Sequence, residues 1–270
     1  MARVVKLRSE DNHFQRAEVV KRNRTRRTRY REFLVEGVKP INRLLEHGWD
    51  VRSFWYSPEQ PLSAWASDIL ASSSADRHYE LPRRLMVKLS EKEETSELIA
   101  LAAMPPDDLR RIRFDAGSLV VVFDRPSSPG NLGTSIRSAD ALGAAGLIYS
   151  GHSADPYDPQ TVRASVGSLF SLPVVHVEGP SDVARWLASL PVRPKVVGSD
   201  SAGRVALDDV DLTGPLVLVA GNEAQGISWA YRELCDVVGR IPMSGAADSI
   251  NVACAISIAL YEAARQRRSG

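Results

Sequence analysis

The sequence predicts an α/β protein, and three patterns support this prediction. Short runs rich in branched and aromatic residues alternate with segments of helical period along the 270 residues. Some runs are apolar at successive positions, as in SLVVVFDR (118–125), which is typical of a central strand in a parallel sheet. Small and polar residues follow three of the predicted strands directly, and such residues form ligand sites at the carboxyl ends of parallel strands.

The first third of the chain has the pattern of a small α/β domain. The segment FLVEGVKPINRLLEHG (33–48) predicts a short strand, a glycine turn and a helix. Further elements alternate after it: strand 51–57, helix 62–73, strand 77–82, the helix LPRRLMVKLSE and strand 97–104. A Pro-rich and charged break near 105–116 then predicts a domain boundary, with domains at 1–110 and 111–270.

The remainder of the chain continues this alternation over a longer stretch. Six strands are predicted, at 118–125, 146–151, 172–177, 194–200, 215–223 and 236–243. Helices are predicted between and after them, at 132–143, 158–169, 181–190, 227–234 and 249–267. This order predicts a parallel sheet with helices on its faces.

Composition and charge exclude several classes of protein. With 44% hydrophobic and 25% charged residues, the chain is typical of a soluble globular protein. Its longest apolar runs fall short of the ~20 residues of a membrane span, and its first residues lack the apolar core of a signal peptide. The two cysteines, Cys235 and Cys254, lie far apart and indicate reduced thiols, so we expect a cytoplasmic protein. The five histidines have no metal-ligand spacing, and no metal site is predicted.

A basic segment stands out against a formal net charge of only +1. Residues 16–31 hold eight Lys and Arg residues and one acid, Glu18, which gives the segment a net charge of +7. Such a local field attracts nucleic-acid phosphates, and Tyr30 or Phe33 nearby can stack on a base. We therefore predict nucleic-acid contacts by five arginines, Arg22, Arg24, Arg26, Arg27 and Arg29. The alternative is that the segment is a solvated basic helix face.

The common nucleotide-binding motifs are absent from this sequence. None of the 18 glycines has another glycine two positions away, so there is no G-x-G turn. Gly221 and Gly226 have the spacing of a P-loop, but Ile227 stands where that loop needs a lysine. There is no G-x-S-x-G nucleophile elbow either. A cofactor pocket at the strand ends must therefore be of another kind.

Three stretches of the second domain carry the most specific signal. They are SSPGNLGTSIRSADALGA (127–144), LVLVAGNEAQGIS (216–228) and IPMSGAADSINVACAISIALYEA (241–263). Together they resemble the three motifs of the SpoU/TrmH family of RNA ribose methyltransferases, and REFLVEGVKPINRLLEHG resembles the ribosomal-protein-like RNA-binding domain attached to many members. The resemblance implies a trefoil-knotted parallel-sheet domain, S-adenosylmethionine as cofactor, methyl transfer to a ribose 2′-hydroxyl, and a homodimer.

The resemblance also nominates site residues, position by position. Gly133 and Pro242 complete the motifs, and the catalytic set is Asn131, Arg137, Glu223, Ser249 and Asn251. The cofactor set is Gly221, Asn222, Gly226, Ile241, Met243 and Ile250, with Ser199 added because it directly follows the strand KVVG. Arg163 and Ser165, in the family-like piece VRASVGSLFSLP, are nominated for RNA binding. The resemblance also implies that the nucleic acid contacted by the five N-terminal arginines is RNA.

Physical chemistry suggests roles for the catalytic set in an in-line methyl transfer. Arg137 lies one to two helical turns beyond Asn131, where its guanidinium can grip the phosphate beside the target ribose. Family proposals cast this arginine as the base, but an arginine side chain holds its proton in proteins, so the base assignment stays open. Glu223 follows a strand and is expected to orient Arg137 or Asn131, or to share in proton removal. Ser249 is predicted as the N-cap of the last helix, with Asn251 in its first turn.

A closer resemblance implies the substrate. The phrases FDRPSSPGNLG, RSADALGA and LYEAARQR are similar to actinobacterial ribosomal RNA methyltransferases of the avilamycin-resistance type. Large-subunit ribosomal RNA is then the expected partner, in either antibiotic resistance or routine RNA maturation. Two alternatives remain: a transfer-RNA ribose methyltransferase, and a catalytically inert protein that binds ribosomal RNA during assembly. For the dimer, the sequence nominates the face of the last helix with Ile256, Leu260 and Ala263.

Overall fold

The computed structural model describes residues 3–269, which form two compact units. The first unit holds the residues up to Pro105 together with Tyr157–Arg163, and the second holds Pro106–Pro156 and the residues from Ala164 onward. Each unit has a sheet of its own, with five strands in the first and seven in the second. Each also has its own hydrophobic core.

A mixed sheet with helices between its strands forms the first unit. Its elements are β1 (Arg3–Lys6), α1 (Asn12–Arg22), α2 (Arg24–Tyr30), β2 (Glu32–Glu36), α3 (Val38–Glu46), β3 (Val51–Tyr56), α4 (Ala64–Ser72), β4 (Arg77–Glu80), α5 (Arg83–Leu89) and β5 (Leu98–Ala103). The strand order is β1-β4-β3-β5-β2, and β5 runs antiparallel to both of its neighbours. The strands and helices predicted for this region are present, and β1 adds an unpredicted edge strand parallel to β4.

The basic segment folds as two helices that meet at Asn23. The Asp11 side chain begins α1 by accepting hydrogen bonds from the backbone nitrogens of His13 and Phe14, both at 3.0 Å. Asn23 ends α1, and its side-chain oxygen accepts a hydrogen bond from the backbone nitrogen of Arg26 at 3.1 Å, which begins α2. The basic side chains are therefore distributed around two short helices instead of along one continuous face.

A parallel sheet with helices between its strands forms the second unit. The elements that follow along the chain are β6 (Leu119–Asp124), α6 (Pro129–Ala141), β7 (Gly146–Ser150), α7 (Pro159–Ser165), α8 (Ser168–Ser171), β8 (Val174–Val177), α9 (Pro180–Ser189), β9 (Lys195–Ser199), β10 (Val205–Ala206), β11 (Leu216–Ala220), α10 (Trp229–Arg232), β12 (Val237–Arg240) and α11 (Val252–Ser269). Most of α7 groups with the first unit. The strand order is β10-β12-β9-β11-β6-β7-β8, and every neighbouring pair is parallel.

The six predicted strands of this unit are present, and burial explains their composition. β6 and β11 are buried at every position, as expected of neighbouring central strands that are covered on both faces. β10 has only two residues, which is too short to leave a pattern. The predicted helix 158–169 is interrupted, because Val166 and Gly167 adopt left-handed backbone angles with φ of 51° and 95°. It forms α7 and α8 instead of one helix.

The last helix buries the face that the sequence nominated for a dimer. Ile256, Leu260 and Ala263 are at most 3% exposed. Their prediction as contacts with a second subunit is therefore wrong, because the apolar stripe packs inward. The outer face of α11 carries Ile258 and Tyr261, which are 42% and 55% exposed.

Neither a membrane-spanning helix nor a metal cluster occurs in the part of the chain that the structure describes. No helix within residues 3–269 is both long and apolar enough to cross a bilayer. Across the same residues, no three His, Cys, Asp or Glu side chains are grouped closely enough to hold a metal ion.

Candidate cofactor pocket and active site

A cavity of about 530 Å³ lies among the loops that follow β9, β11 and β12. Because these strands are parallel, their carboxyl ends meet at one edge of the sheet, and residues from three separate stretches reach the same space. Every residue nominated for cofactor binding lines this cavity, namely Ser199, Gly221, Asn222, Gly226, Ile241, Met243 and Ile250.

The lining of the cavity suits S-adenosylmethionine. Met243 and Ile250 are 41% and 37% exposed, so they offer apolar surface against which an adenine ring can pack. Asp200, Glu223 and Asp248 line the same space, and carboxylates attract the sulfonium and ammonium cations of this cofactor. The residues present therefore fit the cofactor that the motifs imply.

The loop between β11 and α10 is held in shape by its own polar groups. Asn222 and Gly226 exchange two backbone hydrogen bonds of 2.9 Å, and the Asn222 side-chain oxygen accepts from the backbone nitrogens of Ala224 and Gln225 at 2.9 and 3.2 Å. Gly226 has a φ of +66°, and a Cβ on Gly221 would lie 2.0 Å from the carbonyl carbon of Gly226. Both glycines therefore shape the pocket by allowing this tight loop.

Glu223 is the centre of a hydrogen-bond network beside the cavity. Its Oε2 accepts from the backbone nitrogen and hydroxyl of Ser127 at 2.9 and 2.8 Å, and its Oε1 accepts from the Ser128 backbone nitrogen at 3.0 Å and Asn131 Nδ2 at 3.2 Å. Burial alone would raise the pKa of Glu223, but hydrogen bonds from the backbone of Ser127 and of Glu223 itself, then from the Ser127 hydroxyl and the Ser128 backbone, lower it overall. Glu223 is thus an ionised group that orients Asn131.

Asn251 extends this network to the last helix. Its Nδ2 donates to Asn131 Oδ1 at 3.0 Å, and its own Oδ1 accepts from the backbone nitrogens of Ala253 and Cys254 at 2.9 and 3.3 Å. Asn251 is therefore the N-cap of α11. The prediction that Ser249 caps this helix is wrong, because the chain stays non-helical through Asn251, and Ser249 instead lies exposed on the cavity wall.

Arg137 lies on α6 and is exposed. Among residues 3–269, its guanidinium has no hydrogen-bond or ion-pair partner. The expectation that Glu223 orients either Arg137 or Asn131 is thus decided in favour of Asn131. A guanidinium that the protein leaves unpaired is available to bind a phosphate group.

Four of the five N-terminal arginines nominated for RNA are exposed, and these are Arg22, Arg24, Arg26 and Arg29. Arg27 is only 2% exposed. Its Nη1 donates to the carbonyl oxygens of Val20 and Lys21 at 3.0 and 2.8 Å, and its Nη2 pairs with Asp158 at 3.2 Å. The predicted RNA contact by Arg27 is contradicted by this burial, because the guanidinium is used to hold α2 against the end of α1.

The two residues of α7 nominated for RNA binding also differ in exposure to solvent. Ser165 is fully buried, at 0% exposure, which contradicts a direct RNA contact by its hydroxyl. Arg163, two positions earlier, is exposed. Of this pair, only Arg163 remains available to RNA.

The sequence reasoning missed two acidic residues at strand ends. Asp124 ends β6 and accepts a hydrogen bond from the backbone nitrogen of Ser228 at 2.9 Å. Asp200 follows β9 directly and accepts from the backbone nitrogen of Ile227 at 3.2 Å. Both share with Glu223 a position at or after the end of a strand, and a search for acidic residues at that position in every predicted strand finds them.

These features define the class: an α/β protein that has a cofactor cavity at the carboxyl edge of its parallel sheet and no glycine-rich nucleotide loop. Comparison with known proteins identifies the family. Residues 118–261 match the SpoU rRNA Methylase family, and residues 11–100 match the SpoU L30e-like domain. The chain belongs to the SpoU rRNA methylase family, which confirms the predicted family and a methylase domain preceded by a ribosomal-protein-like domain.

Relatives of known name and structure match almost the whole chain. The 23S rRNA (uridine(2479)-2′-O)-methyltransferase of Streptomyces viridochromogenes is 47% identical over 98% of this chain and 93% of its own length. The crystal structure of the SpoU methyltransferase AviRb from that organism, in complex with AdoMet, is 46% identical with a TM-score of 0.92, covering 96% of this chain and 99% of that one. An AdoMet-bound rRNA methyltransferase from Sinorhizobium meliloti is 30% identical with a TM-score of 0.86, covering 97% and 98%. The predicted enzyme class and cofactor are confirmed.

Proposed function

We propose that this protein methylates the ribose 2′-hydroxyl of a nucleotide in large-subunit ribosomal RNA, with S-adenosylmethionine as the methyl donor. The observation that carries the proposal is the Glu223–Asn131–Asn251 network beside a cavity that fits the cofactor. The relative from Streptomyces viridochromogenes, named as a 23S rRNA 2′-O-methyltransferase, supports the RNA class. A trefoil-knotted backbone, a cytoplasmic location and a role in antibiotic resistance are the finer parts of the same proposal.

Positioning is the main contribution of the chain to this reaction. When bound, the cofactor supplies an activated methyl group on a sulfonium. Arg137 binds the phosphate beside the target ribose, and Asn131, fixed by Glu223 and Asn251, donates a hydrogen bond to the 2′-oxygen. Orienting two reactants in this way can lower a barrier by ~7–11 kcal/mol.

Glu223 is assigned to positioning and not to proton removal. Its carboxylate oxygens already accept hydrogen bonds from Ser127, Ser128 and Asn131. Burial would raise its pKa, but hydrogen bonds from Ser127, from Ser128 and from its own backbone lower the pKa overall. A carboxylate with a lowered pKa is a weaker proton acceptor, so the network holds the Asn131 amide in place and leaves the 2′-proton to another acceptor.

Methyl transfer to separate RNA classes tests the proposal. The purified protein is incubated with tritium-labelled S-adenosylmethionine and, in separate reactions, with deproteinised large-subunit RNA, small-subunit RNA and transfer RNA. We expect label on large-subunit RNA that maps to a 2′-O-methyl nucleotide. Label on transfer RNA alone would overturn the substrate and keep the chemistry. Absence of label together with absence of cofactor binding in calorimetry would favour an inert RNA-binding protein.

A homodimer is part of the proposal, and the outer face of α11 supports it. Ile258 and Tyr261 are partly exposed apolar residues on the same helix, three positions apart, where they form one patch. The double substitution Ile258→Asp with Tyr261→Asp is expected to reduce the mass in light-scattering chromatography from that of two chains to that of one. A native protein that already elutes as one chain would contradict the dimer.

A further inference from the structure

One basic side chain lines the cofactor cavity, among the residues described, and the motifs did not nominate it. Arg232, on α10, shares the cavity wall with three acidic residues, Asp200, Glu223 and Asp248. The Arg232 side chain is 34% exposed, so it is neither buried in the core nor free in solvent. A guanidinium cation in this cavity needs an explanation, because it would repel the sulfonium and ammonium groups that the cofactor itself carries.

Asp200 holds Arg232 in a fixed place. Arg232 Nη2 pairs with Asp200 Oδ2 at 2.7 Å, and the carboxylate also accepts from the backbone nitrogens of Ala202 at 2.9 Å and Ile227 at 3.2 Å. The Asp200 side chain is 8% exposed, and a Cβ on Gly226 would lie 2.8 Å from Asp200 Oδ2, so little space remains around the carboxylate. The buried Asp200 side chain therefore links the loops that follow β9 and β11 through its hydrogen bonds.

The guanidinium of Arg232 retains donors for a ligand. Its Nη2 is used by Asp200, and its Nε makes only a long contact of 3.4 Å with the carbonyl oxygen of Ile227. Its Nη1 has no partner among residues 3–269. A planar guanidinium that is held on one side and open on the other is suited to a carboxylate, with which it can form directed, charge-assisted hydrogen bonds.

We propose that Arg232 binds the carboxylate of the methionine portion of the cofactor, with Asp200 as the residue that positions it. The inference rests on the proposed function, because it requires S-adenosylmethionine in this cavity. Glu223 and Asp248, the acidic lining residues that do not pair with Arg232, suit the cationic groups of the cofactor, and Arg232 is the complementary group for its single anionic end. Arg232 thereby lets the pocket distinguish the intact cofactor from analogues without a carboxylate.

Two ligands that differ only in this carboxylate test the proposal directly. The Kd values of S-adenosylmethionine and decarboxylated S-adenosylmethionine are measured by calorimetry for the native protein and for Arg232→Gln. The native protein is expected to bind the intact cofactor about ten- to a hundredfold more tightly, as one hydrogen-bonded charge pair predicts. Arg232→Gln is expected to lose most of this preference while its Kd for the decarboxylated ligand changes little.

A matched control and a conservative variant complete the test. Arg193 pairs with Asp236 at 3.0 Å outside the cavity, so Arg193→Gln removes another Arg–Asp ion pair, a more exposed one, and is expected to keep the full preference. Arg232→Lys keeps the charge, should retain part of the preference, and serves if Arg232→Gln fails to fold by circular dichroism. An equal loss of affinity for both ligands in the Arg232 variants, or no loss, would overturn the proposal. A native protein that binds neither ligand would overturn the proposed function as well.

Discussion

The carboxyl edge of the seven-stranded sheet and the basic segment 16–31 place charged residues in different ways. At the sheet edge, the charged residues that end or follow strands, Glu223 and Asp200, bind backbone groups of neighbouring loops. In the basic segment, adjacent residues have different surroundings: Arg26 is exposed, and Arg27 is buried and bound to Asp158. The position of a charged residue along the chain is therefore informative at a strand end and much less informative within a helical run.

The difference follows from the geometry of the two elements. Parallel strands end at a common edge, so residues that follow them converge whatever the intervening sequence. An α-helix completes one turn every 3.6 residues, so the side chains in a run of successive arginines point to different sides of the helix. Lys21 shows the same effect as Arg27, because it is buried and its Nζ donates to the carbonyl oxygens of Lys88 and Ser90, both at 2.9 Å.

The largest expected effect tests Arg137, the exposed arginine of α6. Arg137→Ala should lower kcat/KM for methyl transfer by about 10³-fold, because the phosphate beside the ribose loses its charge-assisted partner. The melting temperature should not change, since Arg137 has no partner among residues 3–269. Arg113→Ala, another exposed arginine without such a partner, is the matched control and should transfer at the native rate. An active Arg137→Ala variant would remove Arg137 from the site.

The second prediction concerns the ionised group that orients Asn131. Glu223→Gln should lower kcat by about 10²-fold, because a neutral amide cannot accept hydrogen bonds on both of its terminal atoms. The KM for RNA should change little, since Glu223 acts through Asn131. Glu233→Gln, on an exposed glutamate that directly follows α10 and does not line the cavity, is the control. Equal kcat values for the native protein and Glu223→Gln would show that the network is only structural.

The same variant has an expected pH signature in its stability. The pKa of Glu223 is lowered below its ordinary value of 4.5, as hydrogen bonds outweigh burial, so its stabilising contribution is present above that value. The contribution is lost as the pH falls through the lowered folded-state pKa. The difference in free energy of unfolding between the native protein and Glu223→Gln should therefore be constant near neutral pH and shrink in acid. Urea titrations at several pH values measure it, and a difference that grew in acid would contradict the assignment.

The third prediction separates two adjacent arginines by stability. Arg27→Ala should lower the free energy of unfolding by about 3 kcal/mol, because it leaves Asp158 and two carbonyl oxygens without their buried donor. Arg26→Ala should change it by less than about 0.5 kcal/mol, as is usual for an exposed side chain. Urea unfolding of both variants provides the comparison. Equal losses would mean that burial does not distinguish the two positions.

The smallest expected effect concerns RNA affinity. The double substitution Arg26→Ala with Arg29→Ala should reduce the slope of log K against log salt by about 0.7–0.9 for each phosphate that these two arginines bind. Fluorescence anisotropy with a fragment of large-subunit RNA at several salt concentrations measures this slope. Arg185→Ala, an exposed arginine on α9 that pairs with Asp182, is the control and should leave the slope unchanged. An unchanged slope in the double variant would support the solvated-face alternative.

Much of the fold could be predicted because its signals are local, and most of the pocket because its residues lie in short motifs that resemble those of the family. Continuous apolar runs identified β6 and β11, and the residues nominated for the cofactor all line one cavity. The helix start at α11 was misplaced by a few residues, because Ser249 and Asn251 are both residue types that cap helices, and only the hydrogen bonds of Asn251 decide between them.

The sequence by itself determined the α/β class, the strand ends and the polar residues that follow them, because periodicity and strand-end chemistry are properties of short segments. Tertiary structure alone decided that Glu223 holds Asn131, that Arg27 is a buried partner of Asp158, and that Arg232 reaches the cofactor cavity. The physical reason is that burial and pairing depend on which distant segment packs against a side chain. A charged residue acquires its role from the partner that the fold brings to it.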